Sequence, residues 1–509
     1  MTSDPRPRSL IALSGGLAAL IAVVYLLGPP IGRDLAAQTF RADLFDQHGF
    51  VLWNNGWYGG HSTLGYSLLF PPLAALLGVR LVGALAAVAA ACAFAALVGT
   101  RLESSARSAS LWFAVGVSSW LFTGRLTFLL GTAIGLAALL ARDRRHLATA
   151  GVTAALCGLA SPVSGLFCCL ASVAIALGGD RRGGLVLALP SGAATLAPGL
   201  LFPSEGVQPF PFWTWFAIPV LLIATLRLVP REYGTLRIGV VLYAALATLL
   251  FVVPTPVGSN VVRLGMLFAG PLAVLVLARR PRALALVALP LLYWLFFAPI
   301  RDIVQDARDP AVERSYYEPL VAELDRLAAS TAPARIEIVP TKNRWEAAYV
   351  APQHPLARGW LRQLESDDFD LFTDHNLTAG AYRDWLDDQA VSYVAAADAG
   401  LDYLAEDEIE LVEGGLSYLE PVWSNEHWQL YRVRDPRPIG ASALGVDWFE
   451  VDAPRPGPVP VRIRFSPMWT VAGGEACVEE GEGDWTVVDA ERAGTIRVQT
   501  RLFGSSCSE

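Results

Sequence analysis

Lysine is almost missing from this chain: among 39 basic residues only Lys342 is not an arginine. Charge of either sign is scarce, at 17% of 509 residues against 53% hydrophobic, and mean hydropathy is +0.42. A soluble protein of this length does not carry so little charge, so the composition is that of an integral membrane protein. The arginines form short clusters between apolar runs rather than one basic face, which excludes a nucleic-acid binder. No Cys/His group has zinc spacing. No small-residue cleavage pattern follows the first apolar run, so that run reads as an anchor rather than a removed signal peptide. Arginine in place of lysine, with abundant Ala, Gly and Pro, points to a high-GC bacterial genome and hence to a bacterial plasma membrane.

What is present divides in two. Residues 1–299 hold most of the long apolar runs, while 300–509 is polar and acidic, so the formal charge of −8 hides an uneven distribution. At about 20 apolar residues per crossing, spans are predicted at 9–28, 80–100, 109–123, 126–142, 147–161, 163–179, 185–202, 212–229, 237–254, 264–279 and 283–299, about eleven in all. Arg142, Arg144 and Arg145; Arg181 and Arg182; Arg227, Arg231 and Arg237; and Arg279, Arg280 and Arg282 fall in alternate loops. The positive-inside rule makes those loops cytoplasmic and the N-terminus with them. An odd number of crossings then leaves 300–509 outside, on the same side as the first outer loop, 29–79.

That loop is unusually equipped: FRADLFDQHGFVLWNNGWYGGHSTLGYSLLFPP. Asp43 and Gln47, four apart, share a helix face, and Asp46 lies about one turn from Asp43. Any one of Asp34, Asp43 and Asp46, taken singly, reads as a solvated acid at the membrane surface. Trp53, Trp57, Tyr58 and Tyr66 fit an interfacial aromatic belt. Interleaved as they are with Asn54, Asn55 and His61, they also have the makings of a sugar-binding surface, with ring faces for C–H stacking and polar groups for hydroxyls. The following YSLLFPPLAALLG is apolar but too short to span, and reads as a re-entrant or interfacial helix.

An acid soon after the first span, the returning PPLAALLG stretch, an odd number of spans and an outer C-terminal domain together resemble the GT-C superfamily of polyprenyl-phosphate-sugar-dependent membrane glycosyltransferases. The pattern ADLFDQHGF…W…YGGHSTLGYSLLFPP is most similar to its YfhO-like and actinobacterial members, and AVSYVAAADAGLDY, WQLYRV and VPVRIRFSPMWTV resemble the strand order of their outer domain. The resemblance implies a lipid-phosphate sugar donor, an acceptor hydroxyl outside the membrane on an envelope glycan or lipid, and a carboxylate base. By position Asp43 matches the family acid, with Asp46 second. A poor hydroxyl nucleophile needs one carboxylate to take its proton, and with phosphate as leaving group a single displacement with inversion suffices, unlike the two-acid logic of glycosidases.

Arg125 and Arg263 stand at outer span ends, where the positive-inside rule does not favour arginine. They either snorkel to headgroups or grip the donor phosphate with a guanidinium fork; Arg80 is a weaker candidate of the same kind. A divalent ion, if one binds, is expected at Asp43 and Asp46. The candidate site is therefore catalytic Asp43 and Asp46, with Gln47, Trp53, Trp57, Tyr58, His61, Tyr66, Arg125 and Arg263 for substrates. Cys92, Cys157, Cys168 and Cys169 lie in spans, whereas Cys477 and Cys507 lie outside, where a disulfide is expected. Residues 300–440 mix helical and strand patterns and 441–509 alternates like a small β-sandwich. The rival readings are a multi-pass transporter, which predicts two similar halves and polar residues at mid-membrane depth, neither of which is visible, and a non-catalytic envelope-assembly protein, for which Asp43 would be dispensable.

Overall fold

A computed structural model describes residues 5–99, 105–202, 206–329, 332–365, 371–372 and 377–502. The chain forms two units: Met1–Asp46 with Gly65–Ala307, and Gln47–Leu64 with Arg308–Glu509.

The first unit is helical. Its elements are α1 (Pro5–Leu27), α2 (Leu35–His48), α3 (Phe70–Leu77), α4 (Val79–Gly99), α5 (Ala106–Ser119), α6 (Leu126–Asp143), α7 (Leu147–Ala160), α8 (Pro162–Leu177), α9 (Arg181–Leu201), α10 (Phe212–Leu228), α11 (Gly234–Val252), α12 (Val262–Leu277) and α13 (Pro281–Asp306). Each of the eleven expected spans coincides with one of these, since an apolar segment in lipid has to satisfy its own backbone. Among the described residues seven helices are long and apolar enough to cross a membrane, and α7, α8 and α10 are shorter apolar helices. The protein is a multi-pass helical membrane protein. Breaks between spans are set by local chemistry: Ser161 accepts from the Ser164 amide with Pro162 opening α8, and Asp180 caps α9 through Gly183 N–H at 2.9 Å while pairing with Arg142. At eight residues, about 12 Å, α3 cannot span, and Leu76 on it is 79% exposed, as an interfacial segment requires.

The second unit holds a four-stranded sheet in the order β3 (Arg335–Ile338), β4 (Val391–Ala397), β6 (Trp428–Val433), β5 (Leu419–Ser424). The β3–β4 pairing is parallel and the others antiparallel. Beyond it lie two antiparallel sheets. One runs β10 (Trp469–Gly473), β13 (Gly494–Thr500), β8 (Trp448–Ala453), β7 (Ala443–Leu444), and the other β11 (Ala476–Glu480), β12 (Trp485–Ala490), β9 (Gly457–Arg464).

Residues 47–64, read from sequence as part of the first outer loop of the membrane domain, fold with this second unit. A two-strand ribbon of β1 (Trp53–Asn54) and β2 (His61–Ser62) cannot bury its own aromatics, and finds its core among residues 290 to 390 positions away. The Trp57 indole donates to Ala347 O at 3.0 Å, Asn55 Nδ2 to Gly445 O at 2.9 Å, and Leu356 N–H to Gly56 O at 2.9 Å. A stretch between α2 and α3 thus shares one unit with the chain after α13, which requires an even number of crossings from α4 to α13.

Candidate functional site

Two glycines build the site. After α1 the chain turns through Gly32, whose φ is +117°; before α6 it turns through Gly124, at +71°. A Cβ on Gly32 would stand 2.4 Å from Gly124 N, and one on Gly124 would stand 2.4 Å from Leu35 N. Only two residues without side chains let these backbones touch, and Asp34 N–H donates across the contact to Thr123 O at 3.3 Å. The turn Arg33–Asp34 is thereby brought against Arg125. Arg80, the weaker phosphate candidate, is engaged elsewhere. Its guanidinium donates to Tyr25 O and to Gly28 O at the end of α1, and lies over the Tyr25 ring.

Asp34 Oδ2 receives two guanidiniums, Arg263 at 3.6 Å and Arg125 at 3.9 Å. Both are ion pairs too long to be hydrogen bonds. Arg125 lies over the Trp120 ring and Arg263 over Phe128, faces that favour cations. Buried Arg125 Nε has no hydrogen-bond partner. Burial pushes the Arg125 guanidinium down to about 10, with the charge of Arg263 adding to the effect and Asp34 opposing it. Beside this pair Asp302 takes Arg301 at 2.6 Å and Arg33 at 3.8 Å.

The same acid begins a polar stripe. Asp34, Gln38 and Arg41 are spaced four and three apart, one face of a helix. Buried Gln38 donates to the Tyr66 hydroxyl at 3.3 Å, and Thr127 donates to it at 3.4 Å, while Arg41 lies 3.9 Å over the Tyr66 ring. Gln38 Oε1 and Arg41 Nη1 are buried without a partner, and burial lowers the Arg41 pKa. Buried polar groups in a native protein are ordinarily satisfied. Loose ion pairs, a half-unmet amide and unmet guanidinium donors converging on one carboxylate form a site able to take an anion together with hydroxyl groups.

Of the residues singled out in the sequence, Arg125, Arg263 and Tyr66 meet here. Asp43 lies two residues past Arg41, about 200° round the helix, half-buried on another face; Asp46 and Gln47 are exposed. Trp53, Trp57, Tyr58 and His61 are buried in the second unit: Trp57 is 0% exposed and stacks on His61 at 5.2 Å, and the Trp53 indole donates to Asn55 Oδ1 at 2.9 Å. Indoles enclosed in this way pack a core and present no face to a glycan. Asp34, which sequence reasoning treated as a solvated acid, is the carboxylate at the centre. Its signal was indirect: the two arginines expected at outer span ends need a counter-ion, and Asp34 is the acid nearest the end of the first span. Among the described residues no group of three or more His, Cys, Asp or Glu is arranged to hold a metal ion. Cys477 is disulfide-bonded and the four span cysteines are free; Cys507, its expected partner, lies outside the described residues.

No family model matches the chain, and no curated protein matches it. Among solved structures, it is similar to the cryo-EM structure of the arabinofuranosyltransferase AftD from mycobacteria, at 19% identity and a TM-score of 0.47 over 88% of this chain. The chain spans 43% of the length of AftD.

Proposed function

We propose that this protein is an inverting membrane glycosyltransferase of the GT-C type, moving a sugar from a polyprenyl-phosphate donor to an envelope glycan or lipid acceptor on the outer side of the bacterial plasma membrane. The observation that carries the reading is the pair Arg125 and Arg263 held loosely on Asp34, with a buried, unmet guanidinium donor beside it. Before the donor binds, Asp34 offsets one of the two arginine charges and leaves the other to attract an anion. A donor phosphate takes over the two guanidiniums, for which its oxygens are the better match, and leaves the carboxylate free. Asp34 then accepts the proton of the acceptor hydroxyl as that oxygen attacks the anomeric carbon opposite the phosphate. The bond from carbon to phosphate oxygen breaks, its electron pair stays on the phosphate beside Arg125 and Arg263, and the proton ends on Asp34. Gln38 and Arg41 are suited to the sugar hydroxyls. Residues 47–64 folding with 308–509 support a first loop and a C-terminal unit on one side of the membrane, and the arginine clusters of the alternate loops support taking that side as the outer one, with the N-terminus cytoplasmic.

Asp43, the acid matched by sequence, with Asp46 near it, is the competing base. Sugar transfer from polyprenyl-phosphate donors in membranes carrying each variant separates them. Asp34→Asn should lower turnover by about 10²–10⁴-fold, and Asp43→Asn and Asp46→Asn by much less. The reverse pattern would give the base to Asp43. Wild-type transfer by all three variants would reject the assignment of the base to any of these acids, and transfer unchanged in membranes lacking the protein would move the reading to a transporter or an assembly protein.

A further inference from the structure

We propose a second ligand site, for a saccharide, at the carboxyl ends of the parallel pair β3 and β4. Ligands of open α/β sheets gather at such ends. The loops leaving the two strands are laced together: Lys342 N–H donates to Gly400 O at 2.8 Å, Asp402 N–H to Pro340 O at 2.9 Å, and Thr341 bridges to Leu401. The first loop, Thr341-Lys342-Asn343-Arg344-Trp345-Glu346, buries nearly all of its polar side chains. Most of these have protein partners. Thr341 Oγ1 donates to Glu346 Oε2 at 2.6 Å, and Arg344 donates to Gly359 O at 2.7 Å and faces Asp402.

Asn343 is the exception. It is 3% exposed, yet neither Nδ2 nor Oδ1 has a hydrogen-bond partner, and the buried indole N–H of Trp345 has none either. A carboxamide offers two donors and an acceptor in one plane, which suits hydroxyls that give and take a hydrogen bond at once, and suits an all-acceptor phosphate poorly. Trp345 is 2% exposed and stacked on Tyr349 at 4.9 Å, so what it offers beside Asn343 is its indole N–H and not an open ring face. That the ligand is a saccharide follows from this chemistry; that it is the envelope acceptor rests on the proposed glycosyltransferase reading.

The test is calorimetric binding of a panel of methyl hexopyranosides and methyl pentofuranosides to the full-length protein in nanodiscs. Saturable binding to one or more members is expected, weakened at least tenfold by Asn343→Leu and severalfold by Trp345→Phe, which keeps the stack and removes only the N–H. No binding by the wild type, or unchanged binding by Asn343→Leu, would overturn the site in favour of a buried water. If Asn343→Leu does not fold, wild-type affinity in Trp345→Phe overturns it equally. Sugar binding lost in Asn343→Leu while the protein transfers no sugar would sink the glycosyltransferase reading and leave this site standing. Transfer that depends on Asp34, with no sugar bound here, would do the opposite.

Discussion

The two units bury charge in opposite ways. In the second unit Arg358 is clamped: Glu337 at 2.6 Å and Glu408 both take its guanidinium, and Tyr382 donates to Glu408 at 2.7 Å, with both acids fully enclosed. In the first, Arg125 and Arg263 hold Asp34 at 3.9 and 3.6 Å, and Arg125 Nε and Arg41 Nη1 are buried with no hydrogen-bond partner. The difference is one of length: Arg358 is held at hydrogen-bond distance, whereas Arg125 and Arg263 stand beyond it. A tight network fixes a fold, and a carboxylate held beyond hydrogen-bond reach is the more readily exchanged for a ligand anion.

The sharpest way to break this contrast is to remove one cation from each side. Arg358→Ala strands two buried carboxylates and should cost the second unit about 3–5 kcal/mol, read as early thermal unfolding and protease sensitivity of the C-terminal part. Arg125→Met should leave the thermal stability of the protein within about 1 kcal/mol of wild type, since its pairing is loose. Equal losses would erase the distinction.

A smaller effect sharpens it within the second unit. Burial pushes the Glu346 carboxyl up to about 7 from its usual 4.5, against the hydrogen bonds from Thr341. A group whose folded pKa is raised binds its proton more tightly when folded. Its contribution is therefore complete below about pH 4.5 and is lost as pH rises to about 7, roughly 3 kcal/mol in all. Glu346→Gln keeps an acceptor for Thr341 N–H and a donor for its hydroxyl, so the variant should gain stability on the wild type between pH 5 and 8. His354, whose pKa burial lowers, acts in the opposite direction and cancels in the difference between the two curves. A difference that does not change with pH would show Glu346 ionised throughout.

The sequence made the spans readable because crossing a bilayer imposes length and apolarity locally. It also exposed Arg125 and Arg263, which the expected topology puts at outer span ends, where the charge rule does not favour arginine. It hid the division of the first loop, since nothing near Trp57 or Asn55 announces that their partners are Ala347 and Gly445. Asp34 was hidden for the same reason. Its place depends on Gly32 meeting Gly124 across ninety residues, a contact that no periodicity records, whereas the Asp43–Gln47 spacing is local and therefore visible.

The central claim is that the loosely paired arginines receive a phosphate. Its most direct test is the affinity of the full-length protein in nanodiscs for a short-chain polyprenyl phosphate carrying no sugar. Arg125→Gln and Arg263→Gln should each bind about tenfold more weakly, about 1.4 kcal/mol. Asp34→Asn should bind as tightly as the wild type or tighter, because it removes the anion that the phosphate displaces. Unchanged affinity in both arginine variants, or a loss in Asp34→Asn as large as theirs, would contradict the account.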